Sequence, residues 1–366
     1  NTHPLIFKPA KLRSTGVMKH FKVNNINSGA IFTVNEGESI LTAALRQGVM
    51  LPYSCKNGTC GSCKGRLESG EVHYPFHPPL ALSREEIGDG FALFCQAEPT
   101  EDLVIRIREI EAVRDIHVRK MPARVIEKTQ LTADVMRIKI KLPAAQRLQF
   151  LAGQYLDILL NEGKRRAFSI ASPPQSEDII ELHIRHVEGG GFTGWVFDEL
   201  KERDILRLEG PMGTFFIRND LVERPMILMG GGTGFAPLKS MIEDLLSHQD
   251  QRPLHLFWGV RNRTELYMHQ LARQWAEHNT HIQYTYALSE PSSKEQPGCF
   301  TGLVHEAVLA QYPQLSGFDI YMSGPPAMID AGRTAFLANG AEQRRIFFDS
   351  FEYGLDVPVR VLARPH

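Results

Sequence analysis

Three of the chain's five cysteines fall within nine residues, in the stretch SCKNGTCGSC at 54–63, and a fourth follows 32 positions later inside FALFCQAEP. Cys55, Cys60 and Cys63 are spaced C-x4-C-x2-C, with Cys95 as the distant member. Few features restrict a fold so strongly, because four thiolates on one centre tie a loop to a remote segment. A disulfide framework suits short secreted chains, whereas this one has 366 residues and no signal-like apolar core near its start. Structural zinc sites usually pair their cysteines as two separate C-x2-C knuckles, but here one compact loop holds three. An iron–sulfur cluster fits the spacing, since it needs a wrapped loop and one clamp from elsewhere. Gly58 and Gly61 offer the backbone freedom by which such a loop aims N–H groups at sulfur.

The spacing is the plant-type 2Fe-2S pattern, and its flanks agree with it. KHFKVNNINSGAIFTVNEGESI reads as two strands joined at NNINSG, SILTAALRQGV as a short amphipathic helix opened by Ser39, and DLVIRIREI as a closing edge strand. From Lys19 to Ala112 the chain resembles the plant-type ferredoxin fold, which implies a β-grasp-like domain with Cys55, Cys60, Cys63 and Cys95 as metal ligands. Residues 1–18 read as a loose extension, with Met18 as an alternative start. Acidic side chains outnumber basic ones twelve to nine over residues 19–112, so a docking face there is weakly acidic. His73 and His77 read as solvated loop histidines, and Cys299 as incidental.

EAVRDIHVRKMPARV leads into a second region, residues 113–220, where PARVIEKTQ, DVMRIKIKLP, AGQYLDILL, RRAFSIAS and IIELHIRHVE are short strands punctuated by Gly and Pro. That spacing predicts a small antiparallel β-barrel. Within it lie RRAFS at 165–169, HVEGGGFTGWVFDEL and GPMGTFF at 210–216. These resemble, in order, the R-x-Y/F-S, G-G-x-x-S/T and G-P-x-G-x-F motifs of the ferredoxin-NADP reductase-like superfamily, which binds flavin. The resemblance implies that Arg166 pairs with a flavin phosphate, Phe168 covers the ring, and Ser169 hydrogen-bonds near N5 in a catalytic role. A planar guanidinium, an aromatic face and a hydroxyl suit those three tasks. Gly189, Gly190 and Thr193 are expected just before a helix, with Thr193 capping it and open N–H groups facing an anion. FAD is expected over FMN, because members with an N-terminal ferredoxin generally carry FAD.

In residues 221–366, RPMILMGGGTGFAPLKSMIEDLL is an apolar strand, then Gly230, Gly231, Gly232, Thr233 and Gly234, then a helix with Pro237 near its first turn. That context sets backbone N–H groups and a helix start against a phosphate. Strand and helix then alternate to the end, predicting a parallel α/β sheet covered on both faces. GGGTGFAP resembles the superfamily's pyridine-nucleotide loop, and FWGVRNRTELY its strand followed by G-x-R, which implies Gly259 and Arg261 near the cofactor's ribose or diphosphate. MSGPPAM is similar to its C-G-P-P-x-M, with Gly324 and Pro325 kept and Ser323 at the catalytic position where the family's cysteine touches nicotinamide. NADPH-selective relatives carry a basic residue after the serine at the position of Ser289. Glu290 stands there instead, and a carboxylate repels a 2′-phosphate, so NADH is expected over NADPH. The IFFDSFEYGL tail resembles one that reaches the flavin, with Phe351 over the ring.

Forty-one basic against 42 acidic residues give no nucleic-acid signal, and no apolar run is long enough to span a bilayer. A cytoplasmic monomer without nucleic-acid or membrane partners is expected. The architecture resembles NADH-dependent reductase components of multicomponent oxygenases, and also CDP-6-deoxy-glucoseen reductases that serve an iron–sulfur dehydrase in deoxysugar synthesis. Either implies an electron-transfer oxidoreductase with an electron-accepting protein partner. A redox sensor with non-catalytic flavin and nucleotide domains, or a free flavin reductase, are the readings from other classes.

Overall fold

In the computed structural model, which describes residues 19–351 apart from 55, 57, 76–78, 80, 114, 145, 146, 177, 222 and 292–298, alternation along HFKVNN and AIFTVN folds into an antiparallel pair. These strands are β1 (His20–Asn25) and β2 (Ala30–Asn35), with Val23, Phe32 and Val34 buried on one face. Helix α1 (Ile40–Arg46) starts where expected, with the Ser39 hydroxyl accepting from Thr42 N, and buries Ile40, Leu41, Ala43 and Ala44. There follow β3 (Lys64–Ser69), β4 (Val72–His73), α2 (Arg84–Gly88), β5 (Phe91–Leu93), β6 (Glu98–Pro99) and β7 (Leu103–Arg106). The main sheet has the order β2-β1-β7-β3-β5, and β4 pairs with β6.

The expected closing edge strand is therefore not an edge. β7 runs parallel to β1 and antiparallel to β3, which places it inside the sheet. Its Leu103 and Ile105 are buried, and a strand whose ladder groups are paired on both sides has no exposed edge to protect. Among the described residues, those from 19 to 51 pack with Lys64–Glu109 as one unit, while Pro52–Cys63 packs with those from 110 to 351 as a second.

In the second unit, β8 (Arg119–Gln130), β9 (Val135–Lys141), β10 (Tyr155–Leu159), β11 (Arg165–Ser169), β12 (Ile179–Arg185) and β13 (Ile205–Met212) form a six-stranded sheet ordered β11-β10-β13-β8-β9-β12. All its pairings are antiparallel. A bridge between Ile170 and Leu182 links its two ends, as barrel closure requires. Val125, Ile138, Ile140, Leu156, Ile170 and Leu182 fill its interior. Helix α3 (Gly191–Asp198) adds Phe192 and Val196 to that core.

The remaining strands are β14 (Met226–Gly231), β15 (Leu254–Val260), β16 (Ile282–Leu288), β17 (Phe300–Thr301), β18 (Asp319–Gly324) and β19 (Ile346–Ser350). They form an all-parallel sheet ordered β17-β16-β15-β14-β18-β19. Between them run α4 (Phe235–Ser247), α5 (His269–His278), α6 (Val304–Gln311) and α7 (Pro326–Ala338). The inner strands are nearly continuous apolar runs, as burial on both faces demands. Two separate apolar clusters flank the sheet, one around Phe235, Trp258 and Tyr321 and the other around Phe257, Ile320 and Phe336. No helix among the described residues is long and apolar enough to cross a membrane.

The barrel and the parallel sheet meet at a buried polar cluster. Glu181 and His183 on β12 face Lys239 of α4, whose ammonium lies 3.4 Å from Glu181, 2.8 Å from Glu243 and 3.2 Å from the Ala171 carbonyl. Burial alone would raise the Glu181 carboxyl, but the His183 hydrogen bond and the Lys239 charge outweigh it and hold it at about 2. Burial pushes His183 down, so the neutral ring donates through Nε2 to Glu181 and accepts the Tyr267 hydroxyl at Nδ1.

Candidate functional site

The loop ahead of β3 turns back on itself through left-handed residues. Gly58 and Gly61 have φ of 86° and 76°, and Lys56, at φ 64°, adopts the same region without being glycine. A Cβ at either glycine would strain that path, which agrees with the need for exposed amides. Ser62 N–H points at Cys60 Sγ, 3.5 Å away, the sense of bond that stabilises a metal-bound thiolate. Cys60, Cys63 and Cys95 are buried, and Cys55 lies outside the described residues. Among the described residues no three His, Cys, Asp or Glu side chains are gathered into a metal-sized group. The donor types and the loop conformation fit a thiolate-held cluster. His73 is exposed as expected but lies in the short strand β4 rather than a loop, 3.4 Å from Glu98. His77 is outside the described residues.

The start of the loop ahead of β3 is bonded to the end of the barrel through Tyr53 and Lys56. Tyr53 N donates to Thr214 Oγ1 at 3.0 Å, Thr214 Oγ1 returns to the Tyr53 carbonyl at 2.8 Å, and the Tyr53 hydroxyl accepts from Gly213 N at 3.0 Å. Burial pushes the Tyr53 phenol up to about 12, so it stays neutral there. Lys56 Nζ lies 3.3 Å from Met212 Sδ and 4.9 Å from the Tyr53 ring centre.

Arg166, Phe168 and Ser169 occupy β11 with all three half-buried. Phe168 lies 5.6 Å from Phe192 at the start of α3, ring centre to ring centre. Arg166 Nη1 donates to the Arg165 carbonyl at 2.7 Å. Thr193 does not cap α3 as expected: the cap position is Gly190, and Thr193 lies inside the first turn. Its hydroxyl instead accepts from Val187 N at 3.1 Å and donates to the Val187 or Gly190 carbonyl, locking the turn before the helix. Gly189 has φ 76°, and a Cβ on Gly190 would come within 2.8 Å of that hydroxyl. With no side-chain cap on α3, the start of the helix keeps N–H groups for an anion.

Gly230 and Gly231 differ from the expected loop by completing β14, while Gly232, Thr233 and Gly234 form a single 3-10 turn that runs directly into α4, with Pro237 in its first turn. Parallel pairing of β14 with β15 and β18 carries the strand two residues further than a glycine run suggests. The turn lies against β18: a Cβ on Gly234 would sit 2.0 Å from the Ser323 carbonyl oxygen, and one on Gly231 2.5 Å from Met328 Sδ. Trp258 Nε1 donates to the Gly232 carbonyl at 2.9 Å, and its ring stacks on Phe235 at 4.0 Å.

Ser323 is fully buried at the end of β18, and its hydroxyl has no hydrogen-bond partner among the described residues. A buried unsatisfied hydroxyl is costly, so one beside this glycine-rich turn fits a ligand that completes it. Gly324 follows with φ 144°, and Pro325 opens α7. Phe351 N donates to the Gly324 carbonyl at 2.9 Å, which holds that half-buried residue beside the same strand end. Gly259 serves packing, since a Cβ there would lie 2.7 Å from Val304 Cβ on α6. Arg261 pairs with Glu265 at 2.6 Å, and that hydrogen-bonded carboxylate raises its pKa further. Glu290 N donates to the Arg261 carbonyl at 2.7 Å, and its side chain is exposed.

Arg185, absent from the sequence reading, reaches from the end of β12 to the Gly232–Gly234 turn. Its guanidinium atoms lie 3.2–3.3 Å from where a Cβ on Gly232 would stand, with Asp134 at 3.3 Å and Glu265 at 3.6 Å. Its only local cue is a cation at the last position of an alternating strand.

Three family models match in chain order: the 2Fe-2S iron–sulfur cluster binding domain over residues 23–100, the oxidoreductase FAD-binding domain over 122–217, and the oxidoreductase NAD-binding domain over 228–334. The chain is 39% identical over 324 residues to the CDP-6-deoxy-L-threo-D-glycero-4-hexulose-3-dehydrase reductase of Yersinia pestis, covering 88% of this chain and 96% of that protein. It is 37% identical over 334 residues to the reductase component of phenol 2-monooxygenase from Pseudomonas sp. (strain CF600), covering 90% and 94%. Among solved structures, the cytochrome P450 reductase of Amycolatopsis matches with a TM-score of 0.75 at 34% identity, over 90% of this chain and 98% of that one.

Proposed function

Since the chain belongs to the family of reductases that join a 2Fe-2S cluster domain to FAD- and NAD-binding domains, we propose that it carries electrons from NADH to a separate oxygenase component. What carries this reading is the succession of three separately matched redox modules in one chain. Bound FAD supplies the exchange between a two-electron donor and a one-electron carrier, and the cluster supplies the one-electron exit.

The domains we assign are residues 19–112 for a β-grasp-like ferredoxin, 113–220 for the flavin barrel and 221–366 for the nucleotide domain. One copy holds all three, so a monomer suffices for the relay. Arg166 binds a flavin phosphate, Phe168 covers the ring, Ser169 offers its hydroxyl near N5, and Gly189, Gly190 and Thr193 shape the diphosphate turn. NADH lies along Gly230, Gly231, Gly232, Thr233, Gly234 and Pro237, with Arg185 and Arg261 as the cations for its diphosphate. The Ser323 hydroxyl donates to the nicotinamide carboxamide, and Gly324 and Pro325 let the ring approach. Gly259 acts through packing beneath the site. Phe351 would cover the flavin ring. The exposed Glu290 disfavours a 2′-phosphate, which selects NADH. Cys55, Cys60, Cys63 and Cys95 hold the cluster.

Anaerobic stopped-flow mixing with NADH tests this: flavin absorbance should bleach first and cluster absorbance after it, and bleaching without cluster reduction would refute the relay. A second acceptor, an iron–sulfur dehydrase of deoxysugar synthesis, is favoured by the 39% identity to the Yersinia reductase. NADH-driven turnover with a purified phenol hydroxylase component against a purified dehydrase separates the two.

A further inference from the structure

Ser54, the residue directly before Cys55, makes a contact that no motif accounts for. Its hydroxyl donates to Asp349 Oδ1 at 2.8 Å, while the Ser169 hydroxyl donates to Asp349 Oδ2 at 3.2 Å. One carboxylate on β19 thus holds a hydroxyl of the cysteine loop and the hydroxyl of the R-x-F-S strand. Ser54 and Asp349 are 6% and 7% exposed, so the pairing is shielded from water. Hydrogen bonds to a buried carboxylate are stronger than neutral ones, and losing one leaves a charge under-satisfied. The Ser54 carbonyl is held as well, accepting the Tyr155 hydroxyl at 3.2 Å, and Tyr53 is bonded to Thr214 by both its N–H and its carbonyl.

We propose that Asp349 is a positioning residue for the electron exit, clamping Ser54 of the cysteine loop against Ser169. The proposal rests on the reading of the chain as an NADH–FAD–cluster relay. The step it governs moves one electron from flavin to cluster and moves no atoms. Tunnelling falls steeply with distance, so a loop free to lift slows that step without touching any thiolate or the nucleotide turn.

The test uses holoprotein with Ser54→Ala, Ser54→Thr and Asp349→Asn, each checked for iron and FAD content. In Ser54→Ala, flavin bleaching by NADH should match wild type, whereas cluster reduction should slow by about tenfold, the scale of a small misplacement. Hydrogen–deuterium exchange of the peptide covering residues 52–63 should speed up in Ser54→Ala and in Asp349→Asn, and the cluster's reduction potential should stay unchanged. Ser54→Thr, which keeps the hydroxyl, should restore both rate and protection. Wild-type cluster reduction and exchange in Ser54→Ala would overturn the clamp. If Ser54→Ala loses iron, exchange in Asp349→Asn decides, because the loop's own residues are then intact. Absence of cluster reduction in the wild type would instead overturn the relay reading.

Discussion

On β15, the His255 ring stacks on Phe257 with centres 4.0 Å apart, and its two nitrogens meet the Tyr312 and Thr285 hydroxyls at 3.0 and 2.9 Å. Burial pushes its pKa down to about 4, against about 6.5 in an unfolded chain. Between those values the unfolded state binds more protons, so this contribution is complete above about pH 6.5 and is lost as pH falls through about 4. Urea unfolding of wild type should therefore lose about 2 kcal/mol from this group between pH 7 and 5. His255→Gln should lack that slope, and a parallel pH profile in the variant would contradict the assignment. Single residues of the site differ in how readable they are. The loop cysteines announce themselves by spacing, whereas Asp349 looks like any carboxylate near a strand end, because its partners stand 295 and 180 positions away.

The β14–turn–α4 element depends on closeness that only glycine permits. A Cβ on Gly234 would meet the Ser323 carbonyl carbon at 2.5 Å and Gly324 N at 3.0 Å, both backbone atoms that cannot rotate aside. Gly234→Ala should push the turn off β18 and raise the KM for NADH by about tenfold, the scale of a small displacement at a binding loop. FAD content should stay at the wild-type level, and an unchanged KM would show that the turn does not bind the nucleotide. The glycine run marks this element in the sequence, but the extra strand residues at Gly230 and Gly231 come from pairing with β15 and β18. Thr193 and β7 teach the same point. A threonine near a helix start reads as a cap until Gly190 adopts the cap geometry, and a final alternating strand reads as an edge until β1 and β3 pair on either side of it.

At the scale of the whole molecule, the chain is an NADH-dependent flavin and iron–sulfur oxidoreductase whose modules follow the order cluster, FAD, NAD. Such a serial arrangement predicts separable half-reactions. Cys60→Ser should abolish the cluster signal in low-temperature electron paramagnetic resonance, yet NADH should still bleach the flavin at the wild-type rate. Ferricyanide reduction should persist and cytochrome c reduction should fall, if electrons leave for proteins only through the cluster; equal losses in both would argue against the serial path. The order of modules, the cysteine spacing, the R-x-F-S stretch and the glycine-rich turn were all determined by local sequence, because each needs only neighbouring residues and a characteristic backbone path. The arrangement of β7, the reach of Arg185 to Gly232, the neutral His183 beneath Lys239, and the shared grip of Asp349 on Ser54 and Ser169 were decided by tertiary structure. Each depends on groups far apart in the chain: β7 takes its place when β1 and β3 pair on either side of it, and the other three meet only when the barrel and the parallel sheet pack and exclude water.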